Sequence, residues 1–123
     1  MNYFKGLRVL VVGGAGFVGS NLVKTVLKSE PKEVIVVDNL LSSEKENLPD
    51  SPVVRFINDS ITNDEVLAGL SDDIDYVFHL TTYHGNQSSI HDPLADHENN
   101  TLTSLKLFNR LKDFKNIKKV VYS

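Results

Sequence analysis

A doubly wound α/β fold, with a parallel sheet covered by helices on both faces, is what this sequence predicts, and three observations carry the prediction. Short runs rich in valine and isoleucine recur along the 123 residues, each reading as a strand buried on both faces. Segments with helical apolar spacing separate those runs. A glycine-rich turn stands between the first run and the first helical segment, and such alternation demands right-handed crossovers within one parallel sheet.

The elements follow in order. Leu7 to Val12 is a β-branched run closed by glycines, and Glu33 to Asp38 is a second, closed by a turn signal. Between them, Phe17 to Lys28 carries Phe17, Val18, Leu22, Val26 and Leu27 on one helical stripe, with Pro31 as a stop. Leu41 to Pro52, rich in Ser, Glu, Asn and Pro, reads as a loop. Val53 to Ile57 is a third strand, Asp64 to Leu70 a short helix, and Asp75 to Leu80 a fourth strand. Asp92-Pro93 supplies an N-cap and a proline for the first helical position. The long helix they open is expected to reach Asp113 on a stripe of Leu102, Leu105, Phe108 and Leu111. Ile117 to Tyr122 closes as a fifth strand. The whole of 1–123 is expected to be one dinucleotide-binding domain, truncated after about five strands.

Composition narrows the function classes. With 41% apolar and 24% charged residues the chain has a globular balance. Its net charge of -3 is made of scattered charges of both signs. No basic stripe exists to neutralise phosphates, so nucleic acid is excluded as a partner. The amino-terminal apolar run of six residues is too short for a membrane span or a signal segment. With no cysteine there is neither a disulfide framework nor a thiolate metal site, and a cytoplasmic location is expected.

The chemistry concentrates in Gly13-Gly14-Ala15-Gly16-Phe17-Val18-Gly19. Bare backbone is needed here for a tight turn, for the approach of a pyrophosphate, and for close packing of helix on strand. The anion then rests on the unpaired N–H groups and positive dipole end of the helix that follows. Asp38, 19 residues after Gly19 at the end of the second strand, has the position of a ribose ligand. A carboxylate there accepts hydrogen bonds from ribose hydroxyls and repels a 2′-phosphate, favouring NAD over NADP. The sheet is therefore of Rossmann type.

Other polar groups are discounted. His79, His84, His91 and His97 lack the spacing of a helical metal pair, and no metal site is expected. Asp72, Asp73 and Asp75 lack the glycine and distal glutamate of a calcium loop and read as a solvated turn.

With these glycines, Asp38-Asn39-Leu40, Asp59, His79-Leu80-Thr81-Thr82 and Glu98-Asn99-Asn100 in order, the chain resembles the extended short-chain dehydrogenase/reductase family. Within it the nearest pattern is that of NAD-dependent epimerases and dehydratases of the UDP-glucose 4-epimerase type, amino-terminal part only. The resemblance implies that Phe17 and Val18 present backbone N–H groups to the pyrophosphate within the cofactor-binding turn of Gly13, Gly16 and Gly19. It implies that Asp38, Asn39, Ser42 and Ser43 surround the adenosine ribose, and that Asp59 and Ser60 meet the adenine. Leu80, Thr81 and Thr82 match the stretch beneath the cofactor, His84 a position reaching the ribose beside the nicotinamide, and Asn99 a cofactor-contacting position on the long helix.

Two departures bear on the substrate. Thr81-Thr82 replaces the family's alanines or alanine and glycine, and Leu102-Thr103 replaces a small hydrophobic residue plus glycine. The family's catalytic Ser or Thr and its Tyr-x-x-x-Lys are not among the 123 residues, so no catalytic residue is assigned. By resemblance the parent enzyme would oxidise a nucleoside-diphosphate sugar at C4, epimerise or dehydrate it, and work as a homodimer. Two rival readings are a non-catalytic NAD-binding sensor and an extended-family enzyme acting on a non-sugar alcohol. A short natural protein would leave the fifth strand as an exposed apolar edge needing cover.

Overall fold

The computed structural model describes residues 4–13, 17–38, 46, 48–59, 61, 63–70, 72–80 and 104–122. Its strands are β1 (Arg8–Val12), β2 (Glu33–Val37), β3 (Val54–Ile57), β4 (Tyr76–His79) and β5 (Lys119–Tyr122). Its helices are α1 (Phe17–Leu27) and α2 (Asp64–Ala68), with helical backbone also over residues 104–111, here labelled α3. All strand pairings are parallel, and the order across the sheet is β3-β2-β1-β4-β5.

The near-continuous apolar runs are explained by burial on both faces. Val9, Leu10, Val11 and Val12 are each 1% exposed or less. Strand alternation sends Leu10, Val12, Ile35, Val37 and Val77 to one face, where they pack with Leu67 of α2 and Leu107 and Leu111 of α3. Val9, Val11, Val34 and Val36 point to the other, against Val23 and Val26 of α1. Each such side chain contributes about 1.5–3 kcal/mol on leaving water. β5 forms one edge of the sheet, with Val120 37% exposed.

Local chemistry ends the helices. Beyond α1, the Ser29 and Glu30 N–H groups donate to the Val26 and Leu27 carbonyls at 2.9 and 3.2 Å. Glu30 takes a positive φ of 56°, the left-handed closure usually given to glycine or asparagine. At α2, the Asn63 side chain accepts from the Glu65 N–H at 2.9 Å. At its other end the Arg110 guanidinium donates to the Leu67 and Leu70 carbonyls, both at 2.7 Å.

The acidic stretch before β4 is a turn open to solvent at Asp73, as anticipated, and its carboxylates also make defined contacts. Asp72 accepts from the Lys115 and Asn116 N–H groups at 2.6 and 3.2 Å. Asp73 pairs with Arg8 at 2.8 Å, and Asp75 accepts from the Arg8 N–H at 3.0 Å. These carboxylates fasten the amino-terminal edge of the sheet.

The buried stripe of α3 also needs correction. Leu111 is buried as anticipated, but Leu105 is 62% and Phe108 38% exposed while Leu107 is fully buried. Apolar residues stand on two interleaved stripes, and spacing alone does not choose between them. The chosen rotation sets Leu107 on the sheet and Arg110 against the carbonyls ending α2. The expected start of this helix, residues 92–103, lies outside the described residues, as do residues 41–45 and 47 of the expected loop.

Candidate functional site

A ledge of backbone runs along the carboxyl edge of the sheet. The ladder of hydrogen bonds continues one residue past each of three strands. The Asp38 N–H donates to the Ile57 carbonyl at 3.2 Å, the Gly13 N–H to Val37 at 2.8 Å, and the Leu80 N–H to Val12 at 2.8 Å. The ends of β3, β2, β1 and β4 are thereby tied in sequence, and Gly13, Asp38 and Leu80 stand side by side.

Sheet order gives this ledge the position at which open α/β sheets bind ligands. The chain goes from β1 towards β2 on one side and returns to β4 on the other, which makes the neighbouring ends of β1 and β4 the topological switch point of the sheet.

Gly13 turns the chain out of β1 with φ 89°, a conformation that glycine adopts without a Cβ penalty. α1 then begins at Phe17, with no acidic residue in its first turn. A helix start of this kind offers backbone N–H groups and a positive dipole end to an anion. Val18 is 65% exposed beside them, and Gly19 is buried. Asp38 is half-buried. Beyond β3, the Asp59 N–H donates to the Ile57 carbonyl at 3.0 Å, and its carboxylate accepts from the Asn63 amide at 3.0 Å.

Of the residues singled out from sequence, Gly13, Phe17, Val18, Gly19, Asp38, Asp59 and Leu80 thus stand along the carboxyl edge or the start of α1. Gly16, Asn39, Ser42, Ser43, Ser60, Thr81, Thr82, His84 and Asn99 lie outside the described residues. Among the described residues no group of three His, Cys, Asp or Glu side chains could hold a metal ion, and no helix is long and apolar enough to cross a membrane.

A polar pair stands behind the ledge, and no sequence signal marked its second member, Ser104. His79, at the end of β4, is 1% exposed. Its Nε2 lies within hydrogen-bonding reach of Ser104 Oγ on α3, at 3.3 Å. Its ring meets Phe108 edge-on, with centroids 6.0 Å apart. Burial lowers its pKa from the usual 6.5. The partners are 25 residues apart, so only a helix rotation placing Ser104 on the sheet side could have pointed to the pair.

A hollow of about 600 Å³ lies elsewhere, between the 46–51 segment and Val54 and Phe56 of β3. Ser51 and Val54 put it towards the amino end of that strand.

Comparison with known proteins gives concordant matches. A model of the NAD dependent epimerase/dehydratase family matches residues 9–123. The chain is 29% identical to a UDP-glucose 4-epimerase of Streptococcus mutans over 95% of its own length and 35% of the relative's. Among solved structures, the Bordetella bronchiseptica enzyme WbmF in complex with NAD+ and UDP superposes with a TM-score of 0.94 at 67% identity, over 99% of this chain and 36% of that one. A UDP-N-acetylglucosamine 4-epimerase from Methanobrevibacter ruminantium, in complex with UDP-N-acetylmuramic acid, gives 0.81 at 37% identity, over 94% and 37%. The chain therefore spans little more than a third of the length of these relatives.

Proposed function

Because the chain belongs to the NAD-dependent epimerase/dehydratase family, we propose that it is the NAD-binding, amino-terminal part of an enzyme that epimerises or dehydrates a nucleoside-diphosphate sugar. The observation carrying this reading is the ledge at the switch point, where a positive-φ glycine, the start of α1 and a carboxylate ending β2 follow one another along one edge.

The residues fit the cofactor. Gly13 and Gly16 let the pyrophosphate approach main chain, Gly19 lets α1 pack closely, and Phe17 and Val18 offer N–H groups at the positive end of the helix. Asp38, with Asn39, Ser42 and Ser43, holds the adenosine ribose, and Asp59 and Ser60 border the adenine. Leu80, Thr81, Thr82, His84 and Asn99 serve the nicotinamide half. When bound, NAD supplies a hydride acceptor and donor for C4 of the sugar. The protein orients the reactants and excludes water around them.

In this reading residues 1–123 form the cofactor-binding part of a cytoplasmic enzyme, homodimeric at full length. The chain by itself holds NAD and turns nothing over, since its 123 residues contain no Tyr-x-x-x-Lys general base. The UDP-sugar enzymes among its relatives support a uridine diphosphate sugar as substrate class.

Calorimetric titration with NAD and NADP tests the cofactor assignment. NAD binds and NADP binds at least tenfold more weakly; Asp38→Ala weakens NAD by about 1–3 kcal/mol, the scale of hydrogen bonds lost from a charged acceptor. Equal affinity for the two nucleotides would remove the role given to Asp38.

A further inference from the structure

His79 is a polar residue where an apolar one would satisfy the packing. It lies on the face that buries Val77, two residues earlier, and is itself 1% exposed. Burying an imidazole carries a desolvation cost that valine or leucine would avoid. What the histidine adds is direction. Nε2 meets Ser104 Oγ at 3.3 Å, and Phe108 meets the ring edge-on. Ser104 and Phe108 are four residues apart on α3, one turn above the other, so the ring is gripped by successive turns of one helix. In the backbone register His79 stands opposite Val12 of β1 and Tyr122 of β5. The next residue, Leu80, donates its N–H to the Val12 carbonyl at 2.8 Å. The end of β4 is thus held from two directions, by α3 through a side chain and by β1 through the backbone.

We propose that His79 is a positioning residue of the cofactor site: by locking the end of β4 to Ser104 and Phe108, it fixes the ledge at Leu80 on which the nicotinamide half of the dinucleotide rests. The inference rests on the NAD-binding reading above. In a doubly wound sheet each half serves one mononucleotide. With the adenosine assigned to the β1–β2–β3 side, the other half falls to β4. Small errors in such a support weaken binding and reactivity out of proportion to their size. Burial keeps the imidazole neutral near neutral pH, so it pairs with the serine hydroxyl as either donor or acceptor according to tautomer.

The test titrates the chain with NAD and, separately, with ADP, which carries the adenosine and the pyrophosphate but no nicotinamide riboside. His79→Leu and Ser104→Ala each weaken NAD about tenfold, the scale of one buried hydrogen bond, and leave ADP unchanged. Ser104→Thr, which keeps the hydroxyl, retains parental NAD affinity. The double variant is no worse than the single ones, because both remove one interaction. Equal weakening of NAD and ADP, or additive losses in the double variant, would reduce the pair to general stability and overturn the inference. Parental NAD affinity in His79→Leu or in Ser104→Ala overturns it while leaving the cofactor reading intact. Failure of the parent chain to bind NAD overturns both. If His79→Leu does not fold, Ser104→Ala and Ser104→Thr decide the outcome.

Discussion

Replacing Gly13 by alanine should destabilise the fold before any ligand is considered. Gly13 sits at φ 89° while its N–H donates to the Val37 carbonyl at 2.8 Å, so the residue cannot relax its backbone without losing the bond that ties β1 to β2. Holding an L-residue in the left-handed region costs roughly 1–2 kcal/mol. In a domain of this size that lowers Tm by roughly 4–8 °C. Urea denaturation provides the assay: the midpoint falls while the slope stays unchanged. Gly69→Ala is the control. Gly69 is in the right-handed region at φ -77°, and an added Cβ would meet carbonyl oxygens of Glu65 and Val66 at an ordinary 3.5 Å. That variant gains about 0.4–1 kcal/mol through a less flexible unfolded chain. Glu30→Gly, at φ 56°, relieves strain and loses part of the gain to entropy, for a net stabilisation of at most about 1 kcal/mol. A Gly13→Ala chain that unfolds at the parental urea concentration would refute the reasoning.

Three further predictions follow from named contacts. Arg110→Ala, which frees the Leu67 and Leu70 carbonyls at the end of α2, should cost about 1–3 kcal/mol by urea denaturation. Arg110→Lys should recover only part of it, because an ammonium cannot fork to both oxygens. Asp72→Ala should raise amide hydrogen exchange at Lys115 and Asn116, whose N–H groups lose their acceptor, while the exchange of β1 amides stays parental. His79 has its folded-state pKa lowered by burial, so the unfolded chain takes up its proton first as pH falls. Its stabilising contribution is complete above 6.5 and is lost as pH drops through the lowered folded value. Between about pH 8 and about pH 5.5, the parent chain should therefore lose more stability than His79→Phe, and parallel losses would contradict the assignment.

Much of the architecture was legible because two-sided burial writes itself into composition. Val9 to Val12 and Val34 to Val37 leave little choice but a central parallel strand, and all five strands fall within two residues of the sequence expectation. The glycine turn was legible for a related reason, since its requirement is local: a backbone conformation, an anion and a helix start. α3 was only half legible. Its apolar residues fit two faces, and the choice depends on where Leu107 meets the sheet and where Arg110 finds carbonyls, both long-range facts. The contacts of the acids at 72, 73 and 75 were hidden for the same reason. Their partners, Arg8 and the backbone at 115 and 116, are more than forty residues away in sequence. His79 and Ser104 carried no pattern that spacing could reveal.

If the chain holds NAD along the carboxyl edge of its sheet, a crystal structure of the chain grown with NAD will show the dinucleotide there. The pyrophosphate is expected between Gly13 and the start of α1, the adenosine ribose against Asp38, and the nicotinamide half beside Leu80. A dinucleotide lodged instead in the hollow between the 46–51 segment and β3, or no bound dinucleotide at saturating concentration, would contradict it.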